Sequence, residues 1–284
     1  MKSALLTAVI IPMSQDLFQR AYTCLQINDV DSKLTLTAAL AADWEDGKLS
    51  VQNSNTPVAP IAAPGRPAHP VLVSALAVAQ RKVSSPQGRA ALLHSIAHIE
   101  FNAIHLALDA VYRFRNLPRE YYGDWLKVAA EEAYHFTLLR DHLRSLEFDY
   151  GSFTAHDGLW EMAMRTAHDP LVRMALVPRV LEARGLDVTP VLIHKMASGG
   201  DKRAVEILEI ILRDEVGHVR IGNHWYTYLC KQRNIEPMAM FRTLLQEYNA
   251  QVRPPFHTVA RLAAGFSQAE MDALETFANS PLLQ

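Results

Sequence analysis

Four long stretches of this sequence repeat apolar residues at intervals of three and four, which is the spacing of one face of an α-helix. They span about 87–115, 119–146, 158–184 and 201–231, and short connections separate them. Strand patterns are nearly absent, because alternating apolar and polar residues followed by tight turns do not recur. The sequence therefore predicts an all-α protein built on a bundle of four long helices.

Prolines and glycines predict how the rest of the chain is divided. The third stretch contains Pro170 and Pro178, which predict a break or a kink, and Gly185 is predicted to end it. Further helices are expected at about 14–43 (a pair), 187–197, 236–250 and 267–279. Five prolines lie between residues 47 and 70 and predict an extended linker. We expect an N-terminal helical extension, a linker and a main helical body with C-terminal helices, covering 1–46, 47–70 and 71–284.

Composition narrows the classes of function. Hydrophobic residues make up 49% of the chain, which can therefore bury a core, and the net charge of -2 offers no overall basic field to nucleic acid. The two cysteines, Cys24 and Cys230, show no metal-type spacing and fit a reducing compartment. The first twelve residues lack the charged start and the cleavage site of a signal peptide. Since no apolar run approaches the roughly 18 residues of a membrane span, we expect a cytoplasmic protein.

Two Glu-x-x-His pairs lie in the middle of predicted helices: Glu132 with His135, and Glu215 with His218. A separation of three residues places both side chains of a pair on one face of a helix. The rest of that face is apolar, with Trp125, Val128, Leu139, Leu143 and Leu146 in one helix and Leu208, Ile211, Leu212 and Val219 in the other. Because a carboxylate is costly to bury unless it is paired or bound to metal, each face predicts a positive partner for its glutamate.

The other two long helices each place one glutamate in a similar apolar stripe. Glu100 precedes Glu132 by 32 residues and Glu182 precedes Glu215 by 33 residues, as in an internal repeat. One Glu from each of two helices and Glu-x-x-His from each of the other two form the ligand set of di-iron and di-manganese carboxylate bundles. We therefore expect two metal ions, iron in the first place and manganese as the alternative. The expected ligands are Glu100, Glu132, His135, Glu182, Glu215 and His218.

Four segments carry a resemblance to a known family: HSIAHIEFNAIHLALD, VAAEEAYHFTLLRDHL, RMALVPRVLEARGLD and RDEVGHVRIGNHW. Together with the segment GRPAHP, they resemble a bacterial ferritin-like family catalogued as a domain of unknown function. That family looks like a relative of the tRNA-hydroxylating MiaE group, and the resemblance covers roughly residues 10–275. It implies a ferritin-like fold with a non-haem di-iron site and, by analogy, oxygen chemistry, but it supplies no substrate.

The same resemblance implies roles for residues next to the ligands. In di-iron oxygenases an acidic residue often precedes the ligating glutamate and orients a ligand histidine, and Glu131 and Asp214 occupy this position here. Many of these oxygenases have arginine before the histidine, where this chain has Tyr134 and Gly217. For Tyr134, packing between helices is favoured over a radical role.

Other histidines and a group of basic residues leave alternatives open. His94 and His98 are four residues apart and, with His105, could form a zinc site, but a packed or hydrogen-bonding role is favoured. His142 either lines the approach to the metals or is a core histidine. The basic residues around the first interhelical turn are expected to be solvated, with docking of tRNA as the alternative; they are Arg113, Arg115, Arg119 and Lys127.

Three functions are compatible with these patterns. The first is an oxidoreductase in which two iron ions react with oxygen and oxidise an unknown substrate, with electrons from a separate donor because no flavin or iron–sulfur motif is present. The second is iron storage, or a scaffold that metal stabilises without catalysis. The third is a purely structural helical protein. The additional N- and C-terminal helices are expected to build a substrate pocket or the interface of a homodimer.

Overall fold

The computed structural model describes residues 14–52, 54–79 and 83–278; the first thirteen residues, on which the signal-peptide prediction rests, lie outside it. The helices are α1 (Leu17–Gln26), α2 (Val30–Glu45), α3 (Pro86–Arg113), α4 (Arg119–Ser145), α5 (Gly158–Arg165), α6 (Pro170–Leu176), α7 (Ala183–Ser198), α8 (Lys202–Gln232), α9 (Pro237–Glu247), α10 (Thr258–Ala263) and α11 (Gln268–Ala278). A π-helical segment, Val177–Glu182, joins α6 to α7. Among the described residues there is no strand, only two isolated bridges. The prediction of an all-α protein is confirmed.

Caps and prolines set where the long helices begin. The Asp201 side chain accepts a hydrogen bond from the backbone N–H of Ala204 at the start of α8. Ser85 caps α3, and Pro86 occupies its first turn, where a missing N–H costs nothing. As a result, the bounds of α3, α4 and α8 lie within two residues of those predicted. None of the helices in the described ranges is long and apolar enough to cross a lipid bilayer.

The third predicted helix is instead a series of pieces. The chain breaks after α5, and Asp169 caps a new helix whose first residue is Pro170. Pro178 cannot donate the usual helical hydrogen bond, and the turns that contain it widen into the π segment. The predicted end at Gly185 is wrong, because the helix continues through this residue to Ser198 and includes the helix expected separately at 187–197. The true stop is Gly199–Gly200, where Gly200 has a φ of +77°.

The long helices pack so that their apolar stripes meet. α3 lies along α4, α4 contacts α8, and α8 contacts α6, the π segment and α7. Leu93 and Ile104 of α3, Leu139 of α4 and Ile207 of α8 are all fully buried in the resulting core. Since the predicted glutamates lie within these stripes, the packing turns them towards one interior region.

At Gly222, the backbone of α8 lies directly against Pro178 of the π segment. A Cβ added to Gly222 would lie 2.2 Å from Cβ of Pro178, so no side chain fits there. Glycine therefore allows the proline-containing turn to rest directly on the backbone of α8. Gly222 is two helical turns beyond Glu215, and Pro178 is one turn before Glu182. This contact sets the distance between the two segments that carry these glutamates.

The terminal helices cover the long ones. α1 packs on α3 and α2 packs on α4, and residues 54–74 form no helix or strand. At the other end, the buried Arg179 of the π segment donates hydrogen bonds to Asn223 of α8 and to Glu270 of α11. Helices were predicted near α9 and α11, but not at α10, whose six residues are too short to show a period.

Candidate metal centre

The six residues predicted as ligands come from four segments of the fold. Glu100 lies on α3, Glu132 and His135 on α4, Glu182 at the end of the π segment, and Glu215 and His218 on α8. Four of these residues are at most 4% exposed, namely Glu100, Glu132, His135 and His218, and Glu215 is 8% exposed. Glu182 is partly exposed as a residue, but its Oε2 atom is buried. The packing of the apolar stripes thus encloses four carboxyl groups and two imidazoles.

Glu132 lies between the two histidines. Its Oε2 atom is 3.5 Å from Nδ1 of His135, and its Oε1 atom is 3.0 Å from Nδ1 of His218. Nδ1 of His135 is also 3.2 Å from Oε2 of Glu100, and Nδ1 of His218 is 3.5 Å from Oε1 of Glu215. One ligand atom each from Glu100, Glu132, His135 and Glu215 lies within 4.8 Å of the others. Atoms this close together can share a bound cation.

The outer nitrogen of each histidine is held by a carboxylate of the opposite helix. Nε2 of His135 on α4 donates to Oδ2 of Asp214 on α8 at 3.2 Å, and Nε2 of His218 on α8 donates to Oε2 of Glu131 on α4 at 2.9 Å. In both contacts, the acidic residue that precedes one Glu-x-x-His pair holds the histidine of the other pair, as expected for an internal repeat. With the Nε2 proton fixed in this way, the neutral imidazole presents the lone pair of Nδ1 to the interior. These carboxylates are the ones that the sequence predicts to orient the histidines.

The electrostatics of the metal-free centre show a shortage of positive charge. Burial raises the pKa of Glu100 well above its usual value, and the nearby Glu132 adds to this effect. Burial and the carboxylates of Glu215 and Glu132 raise the pKa of Glu182 to about 8. Burial acts against a charged His135, yet the nearby carboxylates of Glu100 and Glu132 raise its pKa to about 11. Without a metal ion, protonated imidazoles therefore supply the positive charge that balances the carboxylates.

Several buried atoms of the predicted ligands form no hydrogen bond of good geometry among the described residues, although some of them lie close to one another. They are both carboxylate oxygens of Glu132, Oε2 of Glu182, Oε2 of Glu215 and Nδ1 of His218. Buried polar atoms are normally hydrogen-bonded, so unpartnered ones call for an ion or ligand. Four carboxylates and two imidazoles suit iron or manganese, and four negative charges match two divalent ions. The buried Glu and His side chains could therefore hold a metal ion.

The other histidines considered from the sequence have structural contacts. His94 Nε2 accepts a hydrogen bond from the backbone N–H of Gly151, and both ring nitrogens of His98 are bonded, to Tyr150 and to His156. Burial lowers the pKa of both rings to about 4, which keeps them neutral. This is the hydrogen-bonding role favoured for the pair.

His142 and the basic residues also contact their own chain. His142 Nε2 is 2.9 Å from Oδ1 of Asp201, the residue that caps α8. Arg113 forms an ion pair with Asp109 at 2.6 Å. The guanidinium of Arg115 stacks on Phe18 at 3.6 Å, and that of Arg119 stacks on Trp44 at 3.8 Å. Arg115 and Arg119 thus help to hold the two N-terminal helices against the body. Tyr134, beside His135, is half-exposed.

A cavity of about 470 Å³ lies on the side of the N-terminal helices. It lies between α2 and α4, and its lining includes Ala42, Lys127 and Glu131. Glu131 is the carboxylate that holds His218, so one wall of the cavity is one hydrogen bond away from a predicted ligand. The cavity is open because most residues of α2 that face it are small. The sequence of α4 alone could not have predicted the cavity.

Two comparisons place the chain among known proteins. A family model described as a protein of unknown function, DUF455, matches residues 26–272. An uncharacterized protein of Haemophilus influenzae is 53% identical over 214 residues, which cover 72% of this chain and 74% of that protein. No solved structure matches the chain. The match to the family model covers most of the chain and includes every residue of the candidate centre, and the chain therefore belongs to the DUF455 family.

Proposed function

We propose that this protein is a non-haem di-iron carboxylate protein that oxidises a substrate with oxygen. In this proposal α3, α4, α8 and the segment from α6 to α7 form a ferritin-like four-helix bundle around the ions. The observation that carries the proposal is the buried cluster of three glutamates and two histidines, with Glu182 near it, in which several polar atoms lack a hydrogen-bond partner among the described residues. The resemblance to the MiaE group supports hydroxylation as the type of reaction.

The six predicted ligands would hold the ions. When bound there, two ferrous ions would supply electrons and open coordination positions for the reduction of oxygen. The protein contributes the geometry, because Glu131 and Asp214 fix which nitrogen of each histidine carries the proton. Burial of Glu100 and Glu132 excludes bulk water from the region between the helices. Electrons would come from a separate donor.

The same geometry favours a substrate other than tRNA. The basic residues at the first interhelical turn, which would have to contact phosphates, are in part committed to the chain itself. Arg113 is paired with Asp109, and Arg115 and Arg119 stack on Phe18 and Trp44. The cavity between α2 and α4, which Glu131 helps to line, has a volume in the range of small-molecule pockets. We propose that a small molecule approaches the centre from this side.

The proposal is tested by loading metal-free protein with graded ferrous iron without oxygen and then admitting air. An enzyme should take up two irons per chain, consume about one oxygen per pair of irons and return to the ferrous state with a reductant. A Glu132→Ala variant should lose this uptake, and a Glu209→Gln variant, changed at an exposed position of α8, should retain it. Uptake far beyond two irons would instead support storage, and the absence of any reaction with oxygen would support a structural metal or manganese.

A further inference from the structure

A second cavity lies on a different side of the π segment, where the chain between α9 and α10 passes over the start of α7. Its volume is about 360 Å³. Three arginines line it, Arg184, Arg253 and Arg261, together with Asp187 and Gln251. Val180 and Leu181 of the π segment form part of its wall. The cavity shares this segment with Glu182, but it contains none of the six proposed ligands.

Arg261 is the buried cation of this cavity, with only 2% of its surface exposed. Its Nε and Nη2 atoms donate to the two carboxylate oxygens of Asp187 at 2.9 and 2.7 Å. The guanidinium lies 5.2 Å from the ring centres of both Phe256 and Phe266. Its Nη1 atom has no hydrogen-bond partner among the described residues. A buried guanidinium donor is costly to leave unpaired, so this atom calls for an acceptor.

The charges around the cavity are unbalanced. Asp187 is fully buried and is shared by Arg261 at 2.7 Å and Arg184 at 3.7 Å, while Arg253 pairs with no carboxylate among the described residues. Arg184 Nη1 donates to the backbone carbonyls of Arg253 and Pro255, at 2.7 and 3.2 Å, and is 3.7 Å from Asp187. Arg253 donates to the side-chain oxygen of Gln251. These contacts orient two guanidinium groups without neutralising them.

We propose that this cavity binds the anionic group of a small molecule, a phosphate or a carboxylate. Arg261 donates from the interior, and Arg184 and Arg253 donate from the solvent side. Guanidinium groups match the paired oxygens of both anions and bind them with charge-assisted hydrogen bonds. The volume is that of a pocket for a small molecule rather than for a macromolecular surface. This inference goes beyond the proposed oxidation and does not depend on it.

The test is calorimetric titration of the full-length protein with inorganic phosphate and, separately, with acetate, at constant ionic strength in chloride. We expect saturable binding of one anion per chain. An Arg184→Gln/Arg253→Gln variant should bind it roughly tenfold or more weakly, since it loses two charge-assisted donors. Arg203→Gln is the matched control, because Arg203 is an exposed arginine that pairs with Glu206 three residues away and lies outside the cavity. Binding of phosphate alone identifies a phosphate ligand, and binding of acetate identifies a carboxylate.

Two results would overturn the inference. One is that neither anion binds wild-type protein more tightly than chloride does. The other is that the double variant binds as tightly as wild type, which would place the anion at the metal ions or elsewhere. Metal content and thermal midpoint are measured for each variant, and the single Arg253→Gln change, at an exposed residue, should show an intermediate loss of affinity if the double variant is poorly folded.

Discussion

Replacement of Glu182 by glutamine should stabilise the metal-free protein and weaken its metal binding at the same time. Glu182 lies among other carboxylates, and burial together with Glu215 and Glu132 raises its pKa from 4.5 to about 8. A carboxyl group whose pKa is raised by folding contributes stability that is present below pH 4.5 and is lost as the pH rises through 8. Glutamine has nearly the same shape and carries no charge, so it removes this penalty.

The expected gain in the free energy of unfolding follows from the pKa shift of Glu182. Each pH unit between the two pKa values costs the folded state about 1.4 kcal/mol, so the cost at pH 7 is about 3 kcal/mol. Because Glu182 is partly exposed, solvent reduces this figure, and we expect a gain of about 2 kcal/mol for Glu182→Gln at pH 7. The gain should vanish near pH 4.5, where the wild-type carboxyl group is protonated in both states.

Urea denaturation followed by circular dichroism, between pH 4.5 and 8 in a chelator, measures the stability of the metal-free protein. The same experiment with manganese measures metal binding, since a ligand present at 100 times its dissociation constant stabilises the folded state by about 2.7 kcal/mol. Wild type should gain from the metal and Glu182→Gln should gain less. Glu209→Gln, at an exposed position, should behave as wild type to within about 0.5 kcal/mol. A Glu182→Gln protein that is less stable than wild type in chelator at pH 7, or equally stabilised by manganese, would refute the reasoning.

Two further predictions concern the supports of the centre. Glu131→Gln and Asp214→Asn should each weaken metal affinity by about 10- to 100-fold, because each removes the carboxylate that holds one of the predicted ligand histidines. Competition with a fluorescent chelator measures the affinity. Unchanged affinity in both variants would show that the contacts are incidental. Gly222→Ala should destabilise the protein by about 1 to 3 kcal/mol, since the new Cβ would overlap Pro178. Gly217→Ala, where an added Cβ has nothing within 4 Å, should stabilise α8 by up to about 1 kcal/mol. Equal urea midpoints for the two alanine variants would argue against the close contact.

The sequence carried much of the information about the long helices, because their signals are local. Apolar periodicity and caps such as Asp201 identify α3, α4 and α8 to within two residues. A glutamate in the middle of each apolar stripe could be located by the same reasoning, since burial of a lone carboxylate is costly wherever the partner helix lies. The structure places Glu100, Glu132, His135, Glu215 and His218 in one buried cluster. Their role as metal ligands remains a proposal.

The parts that sequence reasoning missed depend on partners distant in the chain. Pro178 indicated a break, but the turn widens into a π segment that packs on Gly222, and no local rule connects these two residues. The residue type of Gly185 predicts the end of a helix. In the structure α7 continues through Gly185 and ends before Gly199–Gly200. The arginine cavity is built from α7 and from the chain before α10, so it becomes visible only in the folded protein.

The central claim is that the buried glutamates and histidines bind two metal ions, and metal analysis tests it most directly. Full-length protein is purified without added metal and its content is measured by plasma mass spectrometry, beside a Glu132→Ala/Glu215→Ala variant. The account predicts close to two ions per chain in wild type, iron in the first place or manganese, and almost none in the folded variant. The claim is contradicted if wild-type protein holds neither metal after it is reloaded with ferrous iron or manganese. It is also contradicted if the variant keeps the metal content of wild type.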